Sequence, residues 1–194
     1  MQITHNKTRL EQFSDGVFAI AITLLAFELK IPHLSSSTLA GGLRELLPLV
    51  PNIATFILSF VTIAIFWVNH HQLTQDIGPI RRRLAWANVL TLFFVTLIPF
   101  GTEVASANPF HPLAIMTYAV VLFGGSVSFT ILRYFVHRSC GETKVPMRRS
   151  LVGPIIYLLA TVVAMVSVRS SYFLLAIPPI FYFLPKGRQR ADDL

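Results

Sequence analysis

Charge is scarce in this chain of 194 residues: only 13% are Asp, Glu, Lys or Arg, while 54% are hydrophobic. A soluble globular domain carries about 25% charged residues to solvate its surface. A mean hydropathy of +0.64 points the same way, and a soluble enzyme or soluble binding module is excluded. Cysteine is scarcer still. The lone Cys140 leaves no disulfide framework within the chain and no cysteine-based zinc site. Acidic residues number 9 against 16 Lys and Arg, giving a net charge of +7. In a soluble protein such an excess suggests a nucleic-acid partner. Here the basic residues fall between apolar segments, so they read as the cytoplasmic face of an integral membrane protein, with no nucleic acid involved.

Segments long enough to cross a bilayer, about 20 residues each, can be placed six times. They cover residues 14–32, 43–71, 84–104, 112–135, 151–168 and 172–185. This predicts an all-α membrane protein with a single six-span domain over 1–194. The second segment is overlong and includes Arg44 and Glu45, so it is expected to protrude or tilt. The sixth is short and carries Pro178 and Pro179. Thr8-Arg9-Leu10-Glu11 fits a capping box, placing the start of the first helix at Thr8, ahead of the membrane. A signal peptide is the competing reading of the first 30 residues. It fits poorly, because Asp15 opens the apolar run and Phe27-Glu28-Leu29-Lys30 follows it.

With both termini inside, thirteen basic residues are cytoplasmic, Arg133 and Arg148-Arg149 among them, and only Lys30, Arg44 and Arg169 lie outside. The Arg81-Arg82-Arg83 run and Arg148-Arg149 can also meet anionic lipid headgroups, although setting orientation suffices to explain them.

Several chemistries are missing. Asp15 and the span-end residues Glu28, Glu45 and Glu103 stand apart from one another. His70-His71 is the one histidine cluster, and neighbouring helical residues diverge by about 100°, so the two cannot easily share a metal ion. No HExxH, paired-carboxylate motif or glycine-rich phosphate loop occurs. Nor does the TVGYG carbonyl ladder of potassium filters, or an arginine-studded voltage sensor. Gly124-Gly125-Ser126, with Ser128, reads as a site of close helix packing. A carrier would bring mid-membrane charge and repeat symmetry, and the chain has neither. On residues alone, channel, carrier and structural membrane protein stay open.

The informative stretch is Arg9-Leu10-Glu11-Gln12-Phe13-Ser14-Asp15-Gly16-Val17-Phe18-Ala19. It resembles the RxxxFSDxxFA signature of the transmembrane protein 175 family of potassium channels. Phe66-Trp67-Val68-Asn69-His70-His71 at the end of the second span and Pro99-Phe100 near the end of the third extend the likeness over essentially the whole chain. The resemblance implies a homotetramer whose first helices line a central pore narrowed by apolar rings and passing K+ in preference to Na+. It implies no cofactor, no enzymatic activity and, for a single repeat, a prokaryotic plasma membrane.

Ile20, Thr23, Leu24 and Phe27 fall within about a 100° arc of a helix. The resemblance makes Ile20 the inner constriction, with Leu24 and Phe27 further out and Thr23 supplying a hydroxyl ring. Phe27 replaces the aliphatic residue usual in the family. Such a stripe is equally the pattern of ordinary helix packing. Asp15 lies outside the arc and is expected to point into protein, with Arg9, Ser14 and one of His70 and His71 as partners. The motif residues Arg9, Phe13, Ser14, Asp15, Trp67, His70 and His71 are thus expected to form an inter-helix network, which histidine could make proton-sensitive.

Overall fold

The computed structural model describes residues 2–30, 33–75, 81–140 and 147–183, and the regular structure among them is all helical. The expected span ends at Pro32 and Pro185, and the basic residues Lys144, Lys186, Arg188 and Arg190, lie outside the described residues. Eight α-helices follow one another: α1 (Gln2–Leu24), α2 (Leu39–Leu46), α3 (Val50–Gln75), α4 (Arg82–Ala107), α5 (Pro112–Cys140), α6 (Met147–Ser150), α7 (Val152–Ala164) and α8 (Val168–Phe183).

The first helix begins at Gln2, so Thr8 lies inside it rather than at its cap. No proline or glycine interrupts residues 2–15, and a capping sequence ends nothing when helix-compatible residues precede it. At its other end α1 tightens into a 3-10 turn, Leu25–Glu28. The overlong second segment resolves into two helices. Thr38 caps α2 through a bond from the Gly41 N–H at 3.2 Å. Pro48 then opens a 3-10 turn, Leu47–Leu49, before α3 begins, because proline cannot donate to a continuing α-ladder. Pro99 does not end α4, which runs on to Ala107.

Among the described residues four stretches are long and apolar enough to cross a membrane: Lys7–Glu28, Leu39–Gln75, Arg82–Ala107 and Pro112–Ser139. The helix α7 has 13 residues, hence about 20 Å of length, short of a hydrocarbon core of about 30 Å; α8 is described over 16 residues.

The burial pattern is that of a protein in lipid. In α4, Asn88, Thr91, Thr102 and Ser106 are buried, whereas Trp86, Leu90, Phe93 and Phe100 face outward. An apolar solvent gives no reason to hide Phe, but every reason to pair polar groups internally. Ser59 of α3 does this with its hydroxyl, bonded to Thr102 of α4 at 2.7 Å and Tyr118 of α5 at 2.8 Å. The glycines anticipated as packing sites are that: a Cβ on Gly124 would stand 2.1 Å from the ring of Phe94, so α5 reaches α4 only with hydrogen there. The result is a core of α3, α4, α5, α7 and α8, against which α1 lies along α3 and α4.

Candidate functional site

One face of α1 is committed to the protomer and the other is not. Ser14, Phe18, Ala21 and Leu25 recur at helical spacing and are all buried. The opposite face carries Ile20, 60% exposed, Leu24, 43%, and Phe27, 78%, with Thr23 exposed between them. These are the four residues of the sequence-predicted arc. In a 3-10 turn residues three apart eclipse, so the tightening after Leu24 stacks Phe27 roughly over Leu24 instead of letting it drift around the axis. Thr23 donates its hydroxyl hydrogen to the Ile20 carbonyl at 2.9 Å. Its oxygen lone pairs are therefore left facing away from the helix backbone.

The expected network is present in altered form, as two separate clusters. In the buried one, Ser14 donates to the Leu10 carbonyl at 2.8 Å and accepts from Nδ2 of Asn88 at 3.0 Å. The carbonyl of the same Asn88 faces Nε2 of His70 at 2.6 Å. With its N–H turned to Ser14, Asn88 presents an acceptor to His70, so Nε2 of His70 carries the proton. Phe18 packs on the His70 ring, centroids 5.4 Å apart. This cluster ties α1, α3 and α4 together.

The second cluster is exposed. Trp67 donates its indole N–H to Oδ1 of Asp15 at 2.9 Å and stacks on His71 at 6.0 Å. Gln75 meets Nε2 of His71 at 3.1 Å. Asp15 is thus exposed in the protomer rather than buried, and its partner is Trp67, not a histidine. Asp15 and Ser14 are consecutive and diverge by about 100°, as do His71 and His70, so each pair is split between the two clusters. Arg9 and Phe13 are exposed and join neither. Two further links went unanticipated. Lys7 reaches the Gln75 carbonyl at 3.1 Å, and Lys30 pairs with Glu103 of α4 at 2.8 Å, so Glu103 does not stand alone.

Asn88 is the residue that sequence reasoning missed. A carboxamide in an apolar span is costly without partners, and that was the available signal.

These features define a polytopic helical membrane protein whose first helix is held by one face and bare on the other. The family model described as endosomal/lysosomal potassium channel TMEM175 matches residues 9–99. A Chryseobacterium protein named a potassium channel is 32% identical over 178 residues, covering 92% of this chain and 89% of that one. The crystal structure of a Chamaesiphon minutus homologue, titled a lysosomal potassium-selective channel TMEM175 homolog, superposes with a TM-score of 0.79 at 30% identity. It covers 92% of this chain and 96% of that one. The human relative, named an endosomal/lysosomal proton channel, is 32% identical over 113 residues, which is 55% of this chain but 22% of that one. The chain belongs to the TMEM175 family, a family of ion channels and not of enzymes.

Proposed function

We propose that this protein is a potassium-selective channel, a homotetramer whose four α1 helices surround the conduction path. The observation that carries this reading is the bare face of α1, where Ile20, Thr23, Leu24 and Phe27 are exposed while the other face is buried. A bare face on one helix can bound a path only together with copies of itself, so the reading requires several copies around an axis. The potassium-channel names of the bacterial relatives support the ion. In the tetramer Ile20 forms the narrowest ring, Leu24 and Phe27 form apolar rings beyond it, and the Thr23 lone pairs replace part of a cation's water shell. Conduction is passive, without a carbonyl filter or a voltage sensor, and the apolar rings close the path by dewetting.

In this reading the chain crosses six times, which leaves both termini on one side, and the basic excess of the intervening segments makes that side the cytoplasm of a prokaryotic cell. No cofactor takes part.

The test is cation flux into liposomes holding the purified protein, comparing K+ with Na+ and wild type with Ile20→Asn. Flux that favours K+ and changes with Ile20 supports channel and pore face together. Flux indifferent to Ile20 removes α1 from the path. A carrier is the alternative, and saturating flux coupled to a proton gradient would favour it. Because the animal relatives are named proton channels, acidification of the liposome lumen belongs in the same assay.

A further inference from the structure

Away from α1, a cavity of about 50 Å³ lies between α3, α5, α6, α7 and α8, with Thr62, Asn69, Ser126, Arg133 and Ser150 among its polar lining residues. By the same measure a water needs about 10–15 Å³, so the space takes a few waters or one small tetrahedral anion. Arg133 is only 5% exposed. Its Nη1 donates to the Ser150 hydroxyl at 2.8 Å, its Cζ stands 5.9 Å from the centroid of the Phe129 ring, and its buried Nε has no partner.

Guanidinium does not deprotonate in proteins, and a buried cation calls for a counter-charge. A serine hydroxyl and a phenyl face supply none. Among the described residues no carboxylate lies within ion-pair distance of Arg133. The nearby charge has the same sign: the Arg149 carbonyl accepts from the Tyr182 hydroxyl at 2.7 Å, and its guanidinium lies 5.1 Å over Phe181. Setting membrane orientation requires arginine near the bilayer surface, not arginine inside the helix bundle with an idle donor.

We propose that this cavity is an oxyanion site, in which the buried guanidinium of Arg133 holds a phosphate group. The planar fork suits two oxygens of one phosphorus, and Nε is a buried donor with no partner of its own. Two sources share that chemistry: the headgroup of an anionic phospholipid and free inorganic phosphate. The site is separate from the α1 face, so the inference does not depend on the conduction path proposed above.

The experiment is thermal unfolding of the full chain purified in dodecyl maltoside, which carries no phosphate. Inorganic phosphate is titrated at constant ionic strength in one arm. Phosphatidylglycerol is added in the other, with a galactolipid as the phosphate-free control. Wild type is compared with Arg133→Gln. At about a hundredfold excess over the dissociation constant the wild-type midpoint should rise by about 5 °C or more, and the Arg133→Gln midpoint should not. A rise with inorganic phosphate identifies the free anion; a rise confined to phosphatidylglycerol identifies the lipid. Equal rises in wild type and Arg133→Gln, equal rises with galactolipid, or none at all would overturn the site. If Arg133→Gln does not fold, Arg133→Lys keeps the charge without the fork. Its half-saturating concentration should be about tenfold higher, and an unchanged value counts equally against the proposal.

Discussion

The indole N–H of Trp67 bonds Oδ1 of Asp15 at 2.9 Å, joining the start of the first apolar stretch to the end of α3. The neighbouring Ser14 turns the other way, to Asn88 and the buried His70. One dipeptide thus fastens α1 twice, once at the surface and once in the core.

The outer clasp is the weaker. Both partners are exposed, so Trp67→Phe or Asp15→Leu, each of which removes one side of the bond, should cost about 1 kcal/mol, and the double variant should cost little more than either alone. A double-mutant cycle by thermal unfolding measures this. Asp15→Asn should also impair tetramer assembly or flux; a fully assembled, normally conducting Asp15→Asn protein would remove the structural role of the carboxylate.

The inner clasp is stronger, because its groups have no water to fall back on. Asn88→Ala leaves Nε2–H of His70 without an acceptor and takes the donor from the Ser14 oxygen, which keeps its own bond to the Leu10 carbonyl; it should destabilise by about 1–3 kcal/mol. Ser14→Ala orphans a single N–H of Asn88 and should cost visibly less. Equal losses would mean that Asn88 does not bridge the two.

Close approach of α4 and α5 depends on Gly124. A methyl there displaces the Phe94 ring, so Gly124→Ala should lower the unfolding midpoint, by about 1–3 kcal/mol in free energy. Phe94→Leu, which trims the ring, should recover part of that loss in the double variant. Additive losses would show that the ring is not what Gly124 accommodates.

On the α1 face the expectation is a gradient with position. If α1 lines the path as proposed, Ile20→Asn wets its Ile20 ring and should raise K+ flux severalfold. Thr23→Val keeps the volume and loses the lone pairs, and should lower the preference for K+ over Na+. Phe27→Leu, at the outer end, should leave selectivity unchanged. Side-by-side liposome fluxes under K+ and Na+ gradients read all three.

Composition determined that this is a membrane protein, since too few charges remain to solvate a water-facing surface, and the length of its apolar segments made it helical. The local motif singled out the informative helix, and helical periodicity placed Ile20, Thr23, Leu24 and Phe27 on one face, because angles along a regular helix follow from spacing alone. Breaks in that regularity were less legible. The 3-10 turns at Leu25 and Leu47 and the passage of α4 through Pro99 depend on neighbours that stabilise one local geometry over another.

Only the tertiary structure decided the partners. Asp15 with Trp67, Lys30 with Glu103, and Ser14 through Asn88 to His70 join residues far apart in the chain. A polar group in an apolar span announces that it needs a hydrogen bond, but not with whom. That is settled by which helices pack together, and helix packing is fixed by shape over the whole bundle rather than by any one segment.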